Sequence, residues 1–307
     1  MTKTKRITAL IMSVVLLFTV CVPAVFAETK PFENSEYYSV GDYTIHYRVF
    51  EAEEPVGRIF MIHGFALSSY CFKALAEKLC EAGYTCVLAD LPDFGYSTRE
   101  TEETEKLPRE DIMHSLMTSL SDEPWYLAGH SMGGYVAIAL AEKYPESVKN
   151  LLLYGTSGND GSSAFQQKIM TNPSFIKVMG KVMQFMGKSD VLVRLLLLAA
   201  TGDLRFTHDY DISYITDPFK ISGTGAGAII NFSLIPVTDY ELFSTLSPVL
   251  YVNAANDSVI SKKDINKLRG YLPEGSEDIT LTSGGHLFIE SRVDKTAEIT
   301  LEFLNAR

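Results

Sequence analysis

Short apolar runs at 58–62, 84–89, 125–128, 151–154, 249–253 and 279–281 alternate with helix-like segments at 69–82, 106–119, 135–143, 262–271 and 291–304. Few architectures accept that order. Runs of this length suit strands buried on both faces, and a helical segment between successive strands returns the chain so that neighbours run parallel. The pattern predicts an α/β fold with a mainly parallel central sheet flanked by helices. Ahead of it, residues 37–50 alternate about Gly41-Asp42, which predicts an opening β-hairpin. Ligands of such sheets bind beyond the carboxyl ends of the strands, so chemistry-bearing residues are expected in the turns that follow them.

The spacing breaks once, between Tyr154 and Pro248. Segments 175–186 and 191–200 in that interval are strongly apolar and helix-like, and a stretch of this length is expected to be an inserted helical cap and not one loop. Residues 195–200 are too few to span a bilayer, and their periodicity assigns them to the packing core of the cap in preference to a substrate-facing wall. The expected organisation is a signal peptide over 1–27, a first part of the core over 28–156, the cap insertion over 157–244 and a second part of the core over 245–307. No internal repeat or low-complexity linker interrupts it.

Lys3, Lys5 and Arg6 precede an apolar stretch at 7–22 and the small residue Ala27, the layout of a secretory signal with cleavage after Ala27. An uncleaved anchor is the alternative reading. Removing 1–27 takes three positive charges and no negative ones, so the formal charge moves from −11 to −14. Such a balance repels nucleic acid and is a poor match for an anionic membrane surface. Cys71, Cys80 and Cys86 survive processing, an odd number that permits at most one bridge, with Cys80 and Cys86 the pair that could form it and free thiols the expectation. No Cys/His spacing suggests a metal, and no cofactor motif is present.

Gly129-His130-Ser131-Met132-Gly133-Gly134 stands directly behind one apolar run and ahead of a small-residue helix. A serine lifted out at a strand-to-helix turn needs glycine on both sides, because side chains there would meet neighbouring backbone. A serine hydroxyl is a weak nucleophile until an imidazole takes its proton and a carboxylate holds the other ring nitrogen. Of the six histidines, His46 lies in the hairpin, His63 and His130 at strand ends, His114 in a helix pattern and His208 in the cap, whereas His286 follows Gly284-Gly285 after the last strand. His286 is therefore the candidate base. Asp257, in the turn after the run at 249–253, is the candidate acid, and Asp160 after the preceding strand is the runner-up. The backbone amides of Met132 and Phe65 are candidates to bind an oxyanion, with His63 tethering the Phe65 loop.

Together His63-Gly64-Phe65, the segment 90–97, the Ser131 motif, Asn256-Asp257 and Gly285-His286 resemble the α/β-hydrolase-fold serine hydrolases, in that family's order. The resemblance runs from about residue 37 to the C-terminus. It departs at Asp93, where many relatives place glycine. The resemblance implies an α/β-hydrolase fold and a metal-free, cofactor-free hydrolase with Ser131, Asp257 and His286 as its triad. The expected substrate is a small apolar carboxylic ester, with Met179, Met183 and Met186 as first candidates for an adaptable acyl pocket. An amide, lactone or C–C bond cleaved by the same triad is the second reading, and a non-hydrolytic binding protein on the same fold the third.

Overall fold

The computed structural model describes residues 30–101 and 103–307. The signal peptide expected over 1–27 lies outside the described residues. Eight strands make one sheet: β1 (Ser35–Val40), β2 (Tyr43–Phe50), β3 (Gly57–Ile62), β4 (Tyr84–Ala89), β5 (Trp125–His130), β6 (Val148–Tyr154), β7 (Val249–Ala254) and β8 (Glu277–Leu281). Their order is β1-β2-β4-β3-β5-β6-β7-β8. β1 and β2 pair antiparallel about Gly41, β2 meets β4 antiparallel, and every later pair is parallel.

The central strands are apolar throughout because both faces are covered. Phe60, Leu127, Leu151, Leu153 and Tyr251 point into one core with α2 (Arg109–Leu120), α3 (Met132–Lys143) and α11 (Lys262–Arg269). Ile59, Met61, Ala128, Leu152 and Val252 point the other way, toward α1 (Lys73–Glu81), α12 (Phe288–Ser291) and α13 (Val293–Asn305). This is the period of two expected of strands, with each fully buried aliphatic side chain contributing about 1.5–3 kcal/mol.

Between β6 and β7 the chain forms α4 (Ala164–Met170), α5 (Pro173–Lys188), α6 (Asp190–Thr201), α7 (Leu204–Asp209), α8 (Ser213–Lys220), α9 (Thr224–Ser233) and α10 (Tyr240–Phe243). Their boundaries follow local chemistry. The Asn172 side chain accepts from Phe175 N–H with Pro173 opening the helix, Ser189 caps α6, and Gly202 ends it at φ 65°, where a Cβ would be strained. Residues 195–200 were expected to form packing core of the insertion and not a substrate-facing wall. Instead Val193, Leu196, Leu197 and Ala200 line a cavity that also holds Ser131, so this helix is a wall of the site. The apolar pattern marked the face without revealing what it faces.

Cys71 and Cys86 are buried free thiols, and Cys80 is a half-buried one.

Candidate active site

Ser131 lies between β5 and α3 at φ 52° and ψ −120°. Its flanking glycines are there for space. A Cβ on Gly133 would run into the carbonyl oxygens of Ile62 and His63, and one on Gly129 would lie 2.5 Å from the Gly133 carbonyl oxygen. The Ser131 amide donates to Tyr154 O at 3.0 Å, and its carbonyl accepts from Thr156 Oγ1 at 2.8 Å, which ties the turn to β6.

Asp257 follows β7 and His286 follows β8, at the same sheet edge as Ser131. His286 Nδ1 stands 2.8 Å from Asp257 Oδ2, and His286 Nε2 stands 2.8 Å from Ser131 Oγ. Because the carboxylate only accepts, Nδ1 carries the proton and Nε2 is left to accept from the serine hydroxyl. Burial drives the Asp257 carboxyl up, but the His286 hydrogen bond and charge, with the amides of Val259 and Ile260, outweigh it and hold the group below its ordinary range. It is an anion where His286 needs one. Asp160, the runner-up, makes an ion pair with Lys267.

The His286 turn is held from three sides. Its amide donates to Ala200 O at 2.6 Å, its carbonyl accepts from His130 Nε2 at 2.8 Å, and the Gly285 amide donates to Asn256 Oδ1 at 3.0 Å. His130 is pushed down to about 3, by burial first and by the nearby His286 second, so it stays neutral beside the candidate base. Sequence reading gave His130 no role. Its only signal was its place next to the serine. His63 does tether the loop after β3: Nδ1 donates to Gly64 O at 2.7 Å and Nε2 accepts from Leu91 N–H at 3.0 Å.

That loop passes close to the serine, since a Cβ on Gly64 would lie 3.0 Å from Ser131 Cβ. Phe65 lines the cavity next to it. Met132 is the first residue of α3, so its amide has no acceptor within the helix. The cavity itself measures about 270 Å³. Besides Ser131, His130 and His286, its lining is apolar, with Phe65, Met183, Met186, Leu196, Leu197 and Phe219 prominent. Met179, expected with the other two methionines, is not part of it. Met179 shares their face of α5 but lies one turn nearer the start of the helix than Met183.

A second Ser–His–Asp chain exists. Ser35 Oγ lies 2.7 Å from His46 Nε2, and His46 Nδ1 lies 2.7 Å from Asp90 Oδ2. All three residues are 0% exposed, against 8% for Ser131, which borders the apolar cavity. Here the chain joins β1, β2 and the loop after β4. A larger groove of about 570 Å³, bounded by Tyr70, Tyr210, Tyr214 and Glu290, contains no serine, cysteine or histidine. Among the described residues no group of three or more His, Cys, Asp or Glu is placed to hold a metal ion.

Residues 57–293 match a family described as the α/β hydrolase fold. The chain is 27% identical over 301 residues to the abhydrolase domain-containing protein abhd-5.2 of Caenorhabditis elegans, covering 88% of this chain and 64% of that protein. It therefore spans somewhat less than two thirds of that relative. It is 23% identical over 263 residues to Lipase 1 of Psychrobacter immobilis, covering 80% of this chain and 75% of the lipase. The enol-lactonase from Burkholderia xenovorans LB400 superposes with a TM-score of 0.71 at 17% identity, over 88% of this chain and 100% of that one, a likeness of fold.

Proposed function

Because the chain belongs to the α/β-hydrolase-fold family, we propose that it is an exported serine hydrolase that cleaves a small uncharged carboxylic ester through an acyl-enzyme on Ser131. The hydrogen-bonded chain from Asp257 through His286 to Ser131, ending in an apolar cavity, carries this reading. Ser131 Oγ adds to the ester carbonyl carbon while its proton passes to His286 Nε2. Asp257 stabilises the imidazolium that results. The carbonyl oxygen takes up negative charge, which the amides of Phe65 and Met132 bind; each such donor supplies about 3–4 kcal/mol to the transition state. His286 then protonates the departing alkoxide. In the second half it takes a proton from the water that attacks the acyl carbon, then returns it to Ser131 Oγ as the bond from that oxygen to the acyl carbon breaks and the acid leaves.

The cavity lining disfavours the charged substrates among the rivals that share this chemistry. It contains no Lys, Arg, Asp or Glu. The ammonium of an aminoacyl amide, or a second carboxylate on a diacid, would be buried there without a partner. At about 270 Å³ the space is near the lower end of ligand cavities, which run from about 300 to 1,000 Å³.

A fluorophosphonate probe and a panel of esters, lactones and amides test the proposal. Wild-type protein should label and turn over neutral esters fastest, and Ser131→Ala should abolish both while unfolding at the same temperature. Labelling that survives in Ser131→Ala would refute the assignment of the nucleophile. Absence of labelling in the wild type would favour a binding protein.

A further inference from the structure

The outer face of the insertion differs from the rest of the molecule in two respects at once. Val178, Val182 and Phe185 are exposed at spacings of four and three along α5, Phe185 to 69%. Val191 and Leu195 continue the exposed apolar surface on α6. Lone exposed apolar residues need no explanation, but a contiguous row on adjoining helices does.

The second respect is charge. Between residues 164 and 201 stand Lys168, Lys177, Lys181, Lys188 and Arg194 against Asp190 alone, a net +4 in a chain whose total is −11. The four lysines are exposed, and none has an ion-pair partner among the described residues. At 100° per residue, Lys177, Lys181 and Lys188 form one row along α5, Val178, Val182 and Phe185 the adjacent row, and Met183 and Met186, which line the cavity, lie beyond that row on the face opposite the lysines. The whole-chain charge spoke against an anionic membrane. Its local distribution points the other way.

The apolar surface is also continuous with the cavity mouth. Leu196 and Val259 line the cavity with Ser131, yet they are 53% and 56% exposed. We propose that α5 and α6 dock the protein on an anionic lipid bilayer, with Phe185 and its neighbours among the acyl chains and the lysines among the head groups. An acyl chain could then pass from the bilayer along Leu196 into the cavity without crossing water. A helix with a cationic row beside an apolar one is suited to lying in that interface. No helix among the described residues is long and apolar enough to cross a membrane, so the contact is peripheral for this part of the chain.

The test reads the face itself, because the apolar stretch at 7–22 alone could bring the full chain to vesicles. Trp125 is the sole native tryptophan and is buried in the core, so Phe185→Trp in full-length Ser131→Ala protein provides a local reporter, with Val178→Trp as a second. Ser131→Ala keeps binding separate from hydrolysis. On phosphatidylcholine vesicles containing phosphatidylglycerol, the reporter emission should shift to the blue and be quenched by brominated acyl chains. Adding Lys177→Glu, Lys181→Glu and Lys188→Glu should weaken this apparent affinity roughly tenfold or more. In the Ser131 protein the same three changes should slow hydrolysis of vesicle-borne esters and leave a water-soluble ester unaffected. No quenching with either reporter would overturn the proposal. Quenching that is equal on pure phosphatidylcholine and indifferent to the lysine changes would overturn it too. A blue shift that grows with protein concentration without vesicles would mean that a second copy of the chain covers this face.

Discussion

Ser35–His46–Asp90 and Ser131–His286–Asp257 are joined by hydrogen bonds of 2.7–2.8 Å, but the first is fully buried and the second meets a cavity. Access, more than hydrogen-bond geometry, separates a reactive serine from a structural one. Ser35→Ala should therefore leave turnover unchanged. Asp257→Asn should lower kcat about 10⁴-fold, since an amide facing Nδ1 favours the wrong imidazole tautomer. Asp160→Asn should lose only its surface pair with Lys267; a comparable loss of kcat at Asp160 alone would move the acid. Glu290 gives a pH signature. Its Oε1 is sealed from solvent without a partner, Tyr210 bonds the group, and burial pushes the carboxyl up to about 8. The folded protein thus keeps a proton that the unfolded chain releases, so the stability tied to this group falls as pH rises from about 4.5 toward about 8. Glu290→Gln should raise stability at pH 8 by on the order of a few kcal/mol and have little effect at pH 4. Thermal unfolding of both proteins at the two pH values checks the sign.

At the scale of elements, α5 and α6 divide their faces between cavity and solvent. Met183 and Met186 line the cavity and Met179 does not. Met183→Ala and Met186→Ala should move the preferred acyl chain toward greater length, and Met179→Ala should not. Each added methylene that finds the new space contributes up to about 0.8 kcal/mol, roughly fourfold in kcat/KM. A series of esters measured on the three variants decides it. An unchanged optimum in all three would place acyl recognition elsewhere. The end of α6 also bears on the chemistry, because Ala200 O accepts from the His286 amide. One helix therefore bounds the cavity and fixes the base.

Across the whole molecule, the insertion is tied to the sheet through buried charge. Arg109 reaches Glu100 at 2.8 Å, Asp93 at 3.5 Å and Asn231 Oδ1 of α9 at 3.0 Å, and Asn231 Nδ2 donates to Asp93 at 2.9 Å. Arg99 adds bonds to Thr224 Oγ1 at 2.7 Å and Pro218 O at 3.3 Å. Asp93, where many relatives resembling this chain carry glycine, keeps the positive φ of 71° that glycine would suit and uses its carboxylate as a link. Arg109→Met leaves two buried carboxylates short of their partner and should destabilise by about 3–5 kcal/mol. The urea transition of Trp125, deep in the sheet core, should move with it. A Trp125 transition that stays in place would show that insertion and sheet unfold separately.

The sequence by itself determined the strands, the order of Ser131, Asp257 and His286 along the chain, and the glycines that make room for the serine turn. Each is written in local terms: which face of a strand is apolar, which turn follows it, where a side chain has no room. Tertiary structure decided which acid reaches His286, because Lys267 holds Asp160 elsewhere. It also decided that 191–200 walls the cavity, that His130 supports a carbonyl 156 residues away, and that Ser35 is sealed in. Periodicity tells which side of a helix avoids water. What stands across from that side depends on the path of the whole chain.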